Sequence, residues 1–214
     1  MGGLIMETDR KDFLVKIYEQ MFNDIDRHHK IVWLVIGVLV SAIALIALSE
    51  KGLLPIDLTV SIILLLSFWV IAHVYDSNYW YNRNLVIIAN IERQFLVKED
   101  LRNIHYYFGK HRGVNSLQTS LKIQLYFAWG LVIIVLIYHF FEKIAPGFKL
   151  GFTNVKVEWW SLLPYVVGVL GYLFIVRWIR DKRRNNYAEF LRNSPGINID
   201  TKGIDYGDGH TIDK

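Results

Sequence analysis

Residues 56–75, IDLTVSIILLLSFWVIAHVY, decide the class of this chain: only Asp57 in the stretch is formally charged, and it stands at the leading edge. A helix rises about 1.5 Å per residue, so this run is as long as the roughly 30 Å hydrocarbon core of a bilayer is thick. Three further runs have the same character, 31–49, 121–141 and 159–176, and Lys122 at a rim is their one charged residue. Main-chain groups left unpaired in lipid are costly, which forces such segments into helices. The expected fold is therefore all-α: a polytopic membrane protein with four transmembrane helices in two hairpins and helical cytoplasmic extensions.

The charges outside those runs are sorted by side. Of 24 Lys and Arg, five precede the first run, seven lie in 83–122 and eight in 177–214; one separates runs one and two, and three separate runs three and four. Basic residues collect on the cytoplasmic face, so a division of 20 to 4 puts both termini and the central segment in the cytoplasm. About 30 residues, several of them acidic, precede the first run. A secretory leader starts with a short basic segment, so the run reads as a span. The chain has no cysteine, which excludes disulfides and thiolate metal sites. Its net charge of +4 follows from the cytoplasmic excess and points to anionic lipid headgroups; direct DNA binding is not expected.

In segment 1–30, Phe13, Ile17, Met21 and Ile25 recur every four residues, with Leu14, Tyr18 and Phe22 beside them, making an apolar face on a cytoplasmic helix. Pro and Gly are absent from 9 to 35, so this helix is expected to run into the first span. The first hairpin, 31–75, turns at Gly52 and Pro55. Its second helix meets no Pro or Gly before Gly109, and Leu85, Ile88, Ile91, Gln94 and Phe95 keep a helical stripe. The cytoplasmic segment 76–120 is thus expected to begin as an extension of the span, packed on the amino-terminal helix. Tyr75, Tyr79, Trp80 and Tyr81 suit the headgroup level. The second hairpin, 121–176, has an outer loop, 142–158, whose Pro146, Gly147 and Gly151 predict irregular chain or a short strand, and Pro164 falls in the first turns of the fourth span, where a kink is tolerated. Segment 177–214 starts basic and ends as a polar, Gly- and Asp-rich tail.

Basic and aromatic residues interleave in the cytoplasmic segments. Arg83, Arg93, Arg102 and Arg112 alternate with Tyr79, Trp80, Tyr106 and Tyr107, and Arg180, Arg183 and Arg184 follow span four. Such groups anchor headgroups, and they also hold a phosphorylated base by charge and stacking, so these arginines are the candidate ligand-binding set. Within the spans the candidates are His73, His139, Ser61 and Ser67. A histidine there is either a hydrogen-bonded structural group or a gating and proton-sensing one. The serines either line a polar seam or bond back to their own helix. His28, His29, His105 and His111 specify no ligand geometry, so neither metal nor cofactor is expected. No nucleophile elbow, phosphate loop or His-Glu-x-x-His occurs, and no catalytic residue is assigned.

The whole-chain plan, together with Asn78-Tyr79-Trp80-Tyr81-Asn82-Arg83-Asn84 and His105-Tyr106-Tyr107-Phe108-Gly109-Lys110-His111-Arg112, resembles the small multi-span membrane effectors of bacterial antiphage defence systems. The resemblance implies a non-enzymatic protein of the bacterial inner membrane that oligomerises with itself. It implies membrane permeabilisation on a cytoplasmic protein or nucleotide signal, and it transfers no site residue. The competing expectation is a membrane anchor or scaffold for a cytoplasmic partner, without conduction.

Overall fold

A computed structural model describes residues 2–30, 32–95, 117–148 and 158–193, with side chains at all of these except 2–7, 29, 32, 34, 35, 93, 94 and 148. The helices are α1 (Gly2–Lys30), α2 (Val32–Glu50), α3 (Ile56–Phe95), α4 (Thr119–His139), α5 (Ala145–Phe148), α6 (Leu163–Leu173) and α7 (Asp181–Asn193). A π turn, Phe140–Ile144, joins α4 to α5; a 3-10 turn, Trp159–Leu162, opens α6; and a π segment, Phe174–Arg180, leads into α7. The chain divides into an apolar unit, Lys30–Asp76 with Leu117–Arg183, and a polar unit, Met1–His29 with Ser77–Ser116 and Arg184–Lys214. Among the described residues the chain is all-helical, and three helices are long and apolar enough to cross a membrane: Ile56–Glu92, Thr119–Gly147 and Trp159–Asn193.

That is one fewer than the four expected. The first run corresponds to α2, Val32–Glu50, a helix of 19 residues in which Ile36–Glu50 counts as a shorter apolar stretch among the described residues. What ends α2 is explicit. Gly52 takes φ +72°, the Leu53 N–H donates to Leu48 O at 3.0 Å and the Gly52 N–H to Ser49 O at 2.9 Å. This is a Schellman turn, which needs the left-handed residue that glycine supplies without a Cβ clash. Pro55 follows, and its carbonyl accepts the Thr59 N–H at 3.0 Å as α3 begins.

In the apolar unit α3 supplies the most buried surface. Val60, Ile63, Leu64, Phe68, Ile71 and Val74 recur at helical spacing and pack with Val38 and Ala42 of α2 and with Leu121, Leu125, Ala128, Val132 and Val135 of α4. Phe68 meets Trp129 edge-on at 6.0 Å, and Trp129 meets Tyr172 of α6 in the same way. The opposite faces are also apolar: Ile43, Tyr126, Phe127, Ile134, Val169 and Leu170 are each exposed by more than half. Burial of both faces in water would be required for a soluble bundle; here the outer faces have the composition that lipid solvates.

One expectation at the end of a span is corrected. Residues 142–148 of the outer loop are helical, because α4 continues through the π turn into α5, and Pro146 and Gly147 sit in that last turn. Residues 149–157, with Gly151, lie outside the described set. Pro164 stands in the first turn of α6, after the 3-10 turn, as its place in the sequence predicts. A first-turn N–H has no intrahelical acceptor, so proline loses nothing there.

In the polar unit Ile25 of α1 packs with Tyr81, Leu85 and Ile88 of α3, flanked by Tyr18 and Met21. The α3 stripe at Leu85 and Ile88 thus meets the amino-terminal helix as its spacing predicts. The rest of the α1 face is less regular, since Phe13 is 63% exposed and Phe22 is exposed beside Tyr18. Tyr81 is a core residue rather than a headgroup anchor, because 78, 81, 82, 85 and 88 form one buried face. From 70 to 92 no residue of α3 is exposed.

One polar contact joins α1 to α3: the Tyr18 hydroxyl donates to Glu92 Oε1 at 3.2 Å. Burial pushes the Glu92 carboxyl above its ordinary range, and the tyrosine hydrogen bond offsets part of that rise. Burial, and then the Glu92 charge, raise the Tyr18 phenol. A carboxyl whose folded pKa is raised stabilises the fold below its unfolded pKa, and that contribution is lost as pH rises through the folded value. Glu92→Gln keeps an acceptor for Tyr18 and removes the charge. It is expected to raise the thermal midpoint at pH 7 and to flatten the pH dependence between pH 4 and 7; a midpoint lowered at pH 7 would contradict this.

Candidate functional site

The densest polar constellation of the apolar unit is built from the ends of three helices. Asp57 stands in the first turn of α3, His139 is the last residue of α4, and Tyr165 lies in the first turn of α6. His139 Nε2 is 2.8 Å from Asp57 Oδ1, and its Nδ1 is 3.2 Å from the Tyr165 hydroxyl. The imidazole is fully buried, whereas the Asp57 side chain keeps 14% of its surface. Nε2–H donating to the carboxylate leaves Nδ1 as acceptor for the tyrosine O–H, which satisfies both ring nitrogens of a neutral histidine. A second proton on the ring would turn the Nδ1 contact around, with Nδ1–H donating to the phenol oxygen.

Local features hold the three groups. The Ser61 hydroxyl donates to the Asp57 carbonyl at 2.7 Å, one turn into α3. The π turn begins directly after His139, and its wide geometry closes with the Ala145 N–H donating to Phe140 O. Single π turns inside α-helices are common at functional sites. Thr59 Oγ1, two residues past Asp57, is buried without a hydrogen-bond partner. The arrangement can clamp three helices together and can hold or relay one proton.

No family profile, characterised protein or solved structure matches this chain. The residues themselves therefore carry the argument.

The other expected positions are distributed differently. His73 is half-buried and stacks on Trp69, ring centroids 5.0 Å apart. The Ser67 hydroxyl donates to Ile63 O at 2.8 Å and, outside the candidate set, Ser41 donates to Gly37 O at the same distance. With Ser61, these serines bond back to their own helices rather than across a seam. In the polar unit the Arg83 guanidinium lies over the rings of Trp80, at 5.1 Å, and Phe190, at 5.7 Å, and reaches Asn84 Oδ1 at 3.4 Å. In the apolar unit Arg180 Nε–H donates to Asp181 at 3.1 Å, and Arg183 forms an ion pair with Asp76. Arg184, in the polar unit, is exposed. Arg102, Arg112, His105 and His111 lie outside the described residues, as does the side chain of Arg93.

Asp57 and Tyr165 were not among the expected site residues. Asp57 read as a boundary charge, and Tyr165 as one aromatic among many. A usable signal exists: in antiparallel neighbours the start of one span lies at the depth of the end of the previous or next one. Asp57 at the start of α3 and His139 at the end of α4 share that depth, and so does the start of α6.

Proposed function

We propose that the chain is an integral protein of the bacterial inner membrane with four spans and cytoplasmic termini, which works as a homo-oligomer that opens the membrane when a protein or nucleotide signal engages its polar unit. The observation that carries this reading is α3. It is one helix over 40 residues, Ile56–Phe95. At about 1.5 Å per residue it measures about 60 Å, twice the thickness of a hydrocarbon core. Its first half belongs to the apolar unit and its second half to the polar unit. The same helix thus supplies Ile63 and Leu64 to the core of the apolar unit and Leu85 and Ile88 to that of the polar unit, and a shared element of this kind supports two-state gating by a ligand.

The packed interior supports the oligomeric reading. Val60, Ile63, Leu64 and Ile71 are at most 1% exposed, so apolar side chains fill the centre of a single copy. A conduction path would then lie between copies. The sorting of 20 basic residues against 4 supports the orientation, and segment 78–84 supports the effector class through its resemblance. Purified protein in liposomes loaded with a self-quenched dye is the test. Release that rises with protein-to-lipid ratio and falls in Ile88→Asp is expected. A monomer in detergent that releases nothing in any condition would discard the proposal, and a stable cytoplasmic partner co-purifying with it would favour the anchor.

A further inference from the structure

Between α3 and the segment comprising α6 and its π continuation runs a groove of about 420 Å³, lined by Leu65, Phe68, Trp69 and Ala72 on one side and Val167, Leu170, Gly171 and Phe174 on the other. The groove exists because small residues alternate with large ones. Ala72 and Gly171 form its low points, and the Phe68 ring fills the space a Cβ on Gly171 would occupy, with Cδ2 at 2.2 Å from that position. Leu65, Trp69, Leu170 and Phe174 stand exposed as its walls. No lining residue is charged.

Along the chain each wall is followed by nitrogen-bearing groups, His73 after Trp69 and Ala72, and Arg177 and Lys182 after Phe174. Phe174 stacks on Trp178, ring centroids 5.1 Å apart, and the Lys182 ammonium stands 5.2 Å over the Trp178 ring. Trp69 stacks on His73. Arg177 lies one turn past Phe174. Neither Lys182 nor Arg177 forms an ion pair with a described residue, unlike Arg180 and Arg183. The sequence therefore places a wholly apolar channel, an aromatic collar and uncompensated cations in succession along one line.

We propose that this groove binds an anionic phospholipid, with an acyl chain along Leu65, Ala72, Leu170 and Gly171 and the phosphate at Lys182, Arg177 and the His73 N–H. The charge order selects the occupant. An apolar helix of a partner would use the groove and leave the cations unanswered; a soluble phosphate would use the cations and leave the groove empty. Trp69 and Trp178 sit where interfacial tryptophans lie, between chain and headgroup. The inference rests on the membrane-spanning reading of α3 and α6, with residues 73, 177 and 182 at headgroup depth.

The test uses the full chain in nanodiscs of equal phosphatidylglycerol and phosphatidylcholine, followed by detergent extraction and native mass spectrometry of retained lipid. Phosphatidylglycerol is expected to be retained preferentially. Lys182→Gln and Arg177→Gln are each expected to reduce that preference about five-fold, the factor that corresponds to about 1 kcal/mol for one cation at an anionic surface. Leu170→Trp fills the groove from an exposed position and is expected to abolish retention of either lipid. Equal retention of both lipids by the wild type would overturn the site, and so would phosphatidylglycerol retention unchanged by Leu170→Trp or displaced by inorganic phosphate. A Leu170→Trp chain that changes oligomer size but keeps its lipid would assign the groove to a second copy instead. A chain missing from the membrane fraction would remove the spanning reading itself, and the site with it.

Discussion

Asp57→Ala is expected to lower the stability of the apolar unit by about 3 kcal/mol, because it strands a fully buried imidazole donor. The magnitude separates two accounts of the clamp. Hydrogen bonds between spans contribute about 0.6 to 2 kcal/mol each in membrane proteins, since the unfolded chain in lipid also finds partners. Truncating one partner costs more than that when the other is a donor left buried without an acceptor, and the His139 ring is fully buried. Tyr165→Phe is therefore expected to cost only about 1 kcal/mol, because the half-buried tyrosine gives up one hydroxyl and Nδ1 of a neutral ring is a weaker loss than an orphaned N–H. Asp57→Asn, which keeps an oxygen for Nε2–H, belongs between the two. Thermal unfolding in detergent measures the series, and an Asp57→Ala midpoint equal to wild type would show that the contact holds nothing together.

Gly171→Ala is the second large effect. Its new Cβ would stand 2.2 Å from Phe68 Cδ2 and 2.8 Å from Cγ, so the whole ring is in the way and not just its tip. Phe68 is 5% exposed and lies edge-on against Trp129, so the ring can yield only toward the groove it lines and would give up that contact in doing so. Overpacking of this kind costs about 1 to 3 kcal/mol, and the upper end is expected. Gly168→Ala, one turn away, meets only Leu136 at 3.8 Å and is expected to be neutral or to stabilise by up to about 1 kcal/mol through helix propensity. Adding Phe68→Leu should restore much of what Gly171→Ala loses. Equal melting of the Gly168 and Gly171 variants, or no recovery in the double variant, would refute the packing account.

Helical class was legible because it depends on composition over 20-residue windows, and the pairing of Leu85 and Ile88 with Met21 and Ile25 was legible because it depends on local spacing. The weaker points have physical causes. A π turn adds one residue to a turn and has no composition of its own, so the continuation of α4 through Phe140–Ile144 left no trace in the pattern. Tyr81 carries the same residue type as its interfacial neighbours, and only the rotation of α3 decides that it faces Ile25. In the candidate site His139 was legible as a rare polar group in an apolar run. Its partners were not, since Asp57 is 82 positions away and Tyr165 is 26, and only the packing of three helices brings them to one ring.

The unbroken burial of α3 from 70 to 92 bears on how the chain can diverge. On α2, α4 and α6, one outward apolar residue can replace another as long as lipid solvates both, so neutral drift has many open routes there. Along 70–92 the buried positions, such as Ile71, Val74, Leu85 and Ile88, are packed against neighbouring helices, and a change at one of them requires an answering change there. Descendants of this sequence are expected to differ most in the outward positions of the flanking helices and to share the register of this stretch. In a duplicated gene that acquired a new trigger, the compensating substitutions would be found on the partners of α3 before they were found on α3.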